Sequence, residues 1–295
     1  MKNIDKDFYD LVKLLKSLSE EEIFENIKNY YLSLAEDVRK PLEDFLNRFG
    51  YWGTLSYENN DYTEIKNKAE SLAYHLDDYI WLYEKLGDYR SKKLLLAILR
   101  NWYYYDFYNL ENSREINFTP YFDLDLVECH DEVLVDLGAY TGDTVLDYLK
   151  IYGPNSYQKI YCYEITPNTF AILKNNLYQY NNIEYRRKAA SDTKEIMYIN
   201  NSCDASANTV SPIGSETVEA VTLDDDITEP ITTLKMDIEG YEQKAIMGAQ
   251  KHIINDHPKL LISVYHNNED LWKIPRMIAD FDPSYKFYLR NNGGG

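Results

Sequence analysis

Cysteine is scarce in this chain. Three residues in 295, Cys129, Cys162 and Cys203, lie far apart and in no C-x-x-C spacing. That argues against both a disulfide framework and a cysteine-ligated zinc, and leaves reduced, mostly buried thiols. The five histidines fall in no H-x-x-x-H or comparable pattern, so zinc has no histidine frame either. Long apolar runs are missing: nothing could span a bilayer, and the N-terminal MKNIDKDFYD has no signal-peptide core. A soluble, cytoplasmic protein with no membrane partner is expected. Positive charge is also in short supply, 31 Lys and Arg against 49 Asp and Glu, for a formal charge of -18 and a pI near 4.7. Neutralising a phosphate backbone takes a clustered basic surface. The nearest thing to one, Arg186-Arg187-Lys188, is short and lies in or beside an expected strand, where a solvated edge is the better reading. Nucleic acid is therefore not an expected partner. Between residue 5 and about 109, no fixed-period repeat and no linker rich in Pro, Gly or Ser is found.

Apolar residues make up 44% of the chain, enough for a substantial core in one large domain or two. From residue 5 to about 109 the pattern is helical, with no convincing strand. Leu11, Leu14, Leu15 and Leu18 share one face, and Ser19 with Glu22 reads as a capping box opening a second helix through Ile23, Ile27, Tyr30, Tyr31 and Leu34. Pro41 favours another helical start, Gly50 and Gly53 a break, and Asp61 or Thr63 the cap of a long segment running to Leu86. Gly87 ends it. Residues 91–105 are helical again, with Leu94, Leu95, Ile98, Leu99 and Trp102 placed to bury. His75, among Leu72, Leu76 and Tyr79, reads as a packed or surface histidine. The 29 tyrosines could line a carbohydrate site, but half-buried helix packing suits most of them better. The helical domain is taken as residues 1–112, and a second domain as residues 113–295.

The second domain is organised around VLVDLGAYTGDTV, residues 133–145. Val133, Leu134, Val135 and Leu137 read as a strand buried on both faces, as in a parallel sheet flanked by helices. Gly138 and Gly142 permit a sharp turn and close approach to a ligand, and Asp143 or Thr144 can cap a helix starting at Val145. Such a strand, turn and helix binds nucleotide-like ligands at the carboxyl ends of the strands. A dinucleotide site wants G-x-G-x-x-G. Here the order is Asp136, Gly138, Tyr140, Thr141, Gly142, with no phosphate fingerprint and an acid suited to an amine or a sulfonium. The segment resembles motif I of the class I S-adenosylmethionine (SAM) methyltransferases, and DLGAYTGDT is similar to the FkbM family in particular.

Strand and helix then alternate, as in a doubly wound sheet. The second strand, residues 159–164, ends on Glu164. A Rossmann-like sheet hydrogen-bonds ribose hydroxyls there, since an acceptor-only carboxylate can take both; capping of the following turn is the alternative. A third strand over residues 183–189 leads to Ser191 and Asp192, at the edge that meets adenine in related methyltransferases, or simply in a turn. Residues 194–200 and 216–222 look like an added antiparallel pair around the polar loop SCDASANTVSPIGS, which could border the acceptor. In TTLKMDIEGYE, residues 232–242, Leu234, Met236 and Ile238 would face one side of a strand and Lys235, Asp237 and Glu239 the other. Burying that much charge is costly unless it is paired, so these groups are expected at the strand's carboxyl end beside the ligand. KMDIEG is similar to the FkbM signature K-x-D-x-E-G. A fifth strand, residues 259–265, ends on His266, which would project into the crevice or cap the next helix. Residues 285–290 read as a sixth strand, with no sequence left for the last strand of a methyltransferase sheet.

The resemblance implies an α/β fold, a Rossmann-like class I methyltransferase sheet preceded by an all-helical domain. It implies SAM as cofactor, held by Asp136, Gly138, Tyr140, Thr141, Gly142, Glu164, Ser191, Asp192 and Asp237. It also implies O-methylation of a saccharide or natural-product hydroxyl. His266 is the best general base by intrinsic pKa and Asp237 the second; a divalent ion such as Mg2+ on Asp237 and Glu239 is a third way to activate the oxygen. The helices are open to roles as lid, homodimer surface or acceptor platform. Two other classes stay in play: a nicotinamide-dependent oxidoreductase, disfavoured by the missing fingerprint, and a catalytically silent relative used for binding, disfavoured by the intact acidic positions.

Overall fold

In the computed structural model, which describes residues 4–200, 209–211 and 216–293, the N-terminal periodicity becomes α1 (Ile4–Lys16), α2 (Glu20–Ser33) and α3 (Glu36–Phe49). α1 buries Phe8, Leu11, Val12 and Leu15, one stripe at helical spacing. The capping box forms: Ser19 Oγ accepts the Glu22 N–H at 3.2 Å, and the Glu22 carboxylate accepts the Ser19 N–H at 2.8 Å. Pro41 does not start a helix but lies inside α3. The chain is already helical from Glu36, and the bond the proline forgoes belongs to the Asp37 carbonyl near the open end. Gly50, at φ 70°, closes α3 in the left-handed conformation.

A short hairpin, β1 (Leu55–Ser56) against β2 (Asp61–Tyr62), stands where no strand is expected. Two residues a side are too few to carry an alternation signal. The long segment beyond it breaks at His75 into α4 (Thr63–Tyr74) and α5 (Leu76–Lys85). No glycine or proline marks the break; the His75 ring stacks on Trp272 with centroids 4.4 Å apart, a distant partner that local sequence does not encode. α6 (Tyr89–Tyr104) starts on Asp88, whose side chain accepts the Ser91 N–H, and α7 (Phe107–Glu111) follows.

Residues 285–290 are not a sheet strand. Gly87 N–H donates to the Phe287 carbonyl at 2.8 Å, Leu289 N–H to the Ser91 hydroxyl at 2.9 Å, and Arg290 reaches Asp88 at 2.7 Å. Alternation in YKFYLR specifies an extended chain but not its partner. Met1–Ile116, Tyr265–Arg276 and Ser284–Gly295 form one compact unit, and Asn117–Val264 with Met277–Pro283 the other.

The second unit holds the sheet. Its elements are β3 (Glu132–Leu137), α8 (Asp143–Tyr152), β4 (Tyr157–Tyr163), α9 (Pro167–Leu177), β5 (Ile183–Arg186), β6 (Lys188–Ala190), β7 (Glu195–Asn200), β8 (Thr209–Ser211), β9 (Glu216–Val221), α10 (Leu223–Asp226), β10 (Thr233–Met236), α11 (Glu242–Met247), α12 (Gln250–Asp256) and β11 (Lys259–Ile262), while α13 (Asp270–Phe281) is divided between the units. All of β3 is buried, as a central parallel strand must be. The parallel order is β11-β10-β3-β4-β5, so strand order reverses between β3 and β10, where α/β sheets bind ligands. No sixth strand follows β11 in this sheet among the described residues.

The expected third strand divides at Arg187. β5 stays in the parallel sheet, while β6 joins a second sheet of order β6-β9-β7-β8, in which β7 and β9 are the added antiparallel pair. Apart from Thr209–Ser211, the polar loop within it, including Cys203, lies outside the described residues. α8 begins at Asp143 on a left-handed Gly142 with no side-chain cap, so neither Asp143 nor Thr144 has the capping role expected. Cys129 and Cys162 are buried and free. No helix among the described residues is long and apolar enough to cross a membrane.

Candidate functional site

Register builds the floor of the site. β3 and β10 pair with Asp136 opposite Lys235 and Leu137 opposite Met236. The Lys235 ammonium lies 2.9 Å from Asp136, both side chains are out of solvent, and the ammonium also donates to the Gly138 carbonyl at 2.8 Å. Burial pulls the ammonium toward neutrality, but the Asp136 and Asp237 carboxylates outweigh it and hold its pKa above the usual lysine value. Gly138 leaves the strand at φ 76°, and a Cβ there would overlap the Asp237 carbonyl oxygen. Only glycine lets the two strand ends approach so closely. Asp136 thus lies beneath the turn, not among the residues lining the cleft above it.

That cleft encloses about 580 Å³, open solvent at its mouth included. It is lined by Gly138, Tyr140, Tyr163, Glu164, Asp237, Glu239 and Tyr241, and by Lys188, Ala189, Ala190, Thr209 and Val210 from the second sheet. Glu164 Oε2 accepts the Tyr140 N–H at 3.1 Å and Oε1 the Thr166 N–H at 2.7 Å. Burial pushes this carboxyl above the ordinary glutamate pKa in spite of those bonds. The Asp237 backbone is tied to β3 through its N–H on the Leu137 carbonyl at 3.1 Å, and its Oδ2 accepts the Tyr121 O–H at 2.6 Å. Tyr121 Oη also lies 3.1 Å from the Ser263 hydroxyl.

The strand reading of KMDIEG holds only to Met236. Glu239 stands in a left-handed turn at φ 59°, followed by Gly240 at 93°, and Lys235 points down to Asp136. Glu242 closes that turn by accepting the Ile238 N–H at 2.8 Å. Tyr140 at φ 44° and Tyr121 at φ 71° are also left-handed. Non-glycine residues held there are strained and gather at functional sites.

Thr141, Gly142, Ser191 and Asp192 are not among the cleft-lining residues. The Thr141 carbonyl accepts from Asn176 at 2.9 Å, and a Cβ on Gly142 would press on Leu173 and Leu177, so this half of the turn locks onto α9. Ser191 Oγ donates to Asp192 at 3.1 Å. Two members of the basic run are not a solvated edge: Arg186 and Lys188 both reach the Asp226 carboxylate at 2.6 Å, and Tyr163 donates to it at 2.6 Å, while Arg187 between them is exposed. α10 brings Asp226 there, a partner 38 to 40 residues downstream. His266 is buried in the first unit, its ring edge-on to Tyr51 with centroids 5.3 Å apart. Sequence reasoning missed Tyr121, whose link to Asp237 spans 116 residues, and Lys188, which it set aside as surface.

Residues 136–291 match the Methyltransferase FkbM domain family. Among solved structures, methyltransferase FkbM from Methylobacillus flagellatus KT superposes with a TM-score of 0.68 at 22% identity over 85% of this chain, a likeness of fold. This chain spans 63% of that one. No curated protein matches the sequence.

Proposed function

The chain belongs to the FkbM methyltransferase family, and from that premise we propose that it transfers the methyl group of SAM to a hydroxyl of a saccharide or natural-product acceptor. The observation that carries this reading is the cleft's donor set: Glu164, Asp237 and Glu239 converge beside a glycine turn at the strand ends. These groups fit SAM. Glu164, an acceptor-only carboxylate, suits the ribose diol; Gly138 and Tyr140 offer the turn's backbone; the acids balance a sulfonium. When bound, SAM supplies an electrophilic methyl group.

The chain itself supplies position and a proton acceptor. The cleft walls hold the acceptor hydroxyl in place and exclude water, and Asp237, oriented by Tyr121, takes the hydroxyl proton on its carboxylate. His266, the better base by intrinsic pKa, is the alternative acceptor of that proton. If Asp237 serves as base, Asp237→Asn lowers turnover roughly 100-fold or more. His266→Ala then leaves turnover within a few-fold; the reverse pattern transfers the role to His266. Assays with EDTA and added magnesium test an ion on Asp237 and Glu239.

Titration calorimetry with SAM, S-adenosylhomocysteine and NAD tests the cofactor. Binding of the first two and not NAD is the expected result. Binding of NAD alone would make this an oxidoreductase, and SAM binding without transfer to any hydroxyl would make it a silent relative.

A further inference from the structure

Lys235 sits in β10 between β3 and β11, where a parallel sheet is normally aliphatic. An apolar pair at positions 136 and 235 would fill similar volume without desolvating two charges, so pairing alone does not account for the lysine. Its remaining contacts do. Nζ donates to the Gly138 carbonyl at 2.8 Å and lies 3.4 Å from the Leu137 carbonyl, the last of β3. From the other side, the N–H groups of Gly138 and Ala139 both donate to the Tyr163 carbonyl, at 3.1 and 2.9 Å. The first peptides of the turn are thus gripped by their N–H groups from β4 and by their carbonyls from Lys235. Beyond them the turn is left-handed at Gly138, Tyr140 and Gly142, a sequence of conformations that needs fixing from outside.

We propose that Lys235 is the positioning residue of the cleft: its ammonium clamps the Gly138 carbonyl and so fixes the turn over residues 138–142, with Asp136 as the counter-ion that keeps the ammonium charged in the sheet. The consequence for the cofactor rests on the SAM reading above; the consequence for the turn does not. Lys235 is not among the residues lining the cleft and acts through the backbone it holds.

Two measurements test this. In the unaltered protein labelled with ¹⁵N-lysine, NMR should detect a slowly exchanging Lys235 side chain coupled across a hydrogen bond to the Gly138 carbonyl. A Lys235 side chain that exchanges freely and shows no such coupling overturns the proposal. The double variant Asp136→Asn/Lys235→Met removes clamp and counter-ion together and leaves no buried charge unpaired. Its melting temperature should stay near the parent's, while the amides of residues 138–142 exchange roughly tenfold faster and the S-adenosylhomocysteine dissociation constant rises roughly tenfold. A turn as protected as the parent's overturns the clamp, whatever the cofactor is. Faster exchange in a protein whose parent binds neither SAM nor its product supports the clamp and counts against the SAM reading instead.

Discussion

Glu164 is a buried carboxyl asked to stay ionised. Folding disfavours its charged form, so its pKa lies above the ordinary glutamate value of 4.5. On acidification it takes up a proton earlier than a free glutamate does. Once protonated it has one fewer acceptor position for Tyr140, Thr166 and a bound diol. Affinity for S-adenosylhomocysteine is therefore expected to hold at neutral pH and to fall on acidification, starting above the ordinary glutamate range. Glu164→Gln should weaken binding by about 2 kcal/mol and flatten that limb, as calorimetry at several pH values can measure. A limb unchanged in the variant would assign the titration to another group. Glu164, Asp237 and Gly138 were legible as cleft-lining residues because each stands at the end of an expected strand, and strand ends in this fold open on the crevice. Asp136 was legible as an acid but not as a buried one, since its partner is set by register with a strand almost a hundred residues away.

At the scale of elements, signals confined to one turn of chain were readable and signals from tertiary partners were not. The Ser19 box shows the first case and the break at His75 the second. Asp88 combines both. It caps α6 through Ser91, as local sequence permits, and pairs with Arg290, as it does not reveal. Burial raises the Asp88 pKa, but Arg290 and Ser91 outweigh it and bring the group down to about 2. A depressed folded pKa means stability that is complete above the unfolded value of about 3.8 and is lost as pH falls through about 2. Asp88→Ala should cost about 1–2 kcal/mol near neutrality and progressively less toward pH 2, measured as paired thermal melts. An equal loss at both ends of that range would mean the carboxylate's charge plays no part.

For the whole molecule, a charge of -18 sets a self-repulsion that no single contact describes. Raising salt from about 0.01 to 0.15 M shortens the screening length from roughly 30 to 8 Å, so the melting temperature is expected to rise. A fall would show that attractive clusters, such as Lys159 with Glu184 and Glu229, outweigh the long-range repulsion. Composition announced this charge; order along the chain does not announce a compact unit assembled from three separated segments. That assembly sets a clock. Leu289 is made 198 residues after the Ser91 hydroxyl it bonds, a lag on a ribosome of roughly 10–40 s at about 5–20 residues per second. The start of α6 must wait through the synthesis of the entire parallel sheet before its last hydrogen-bond partners exist.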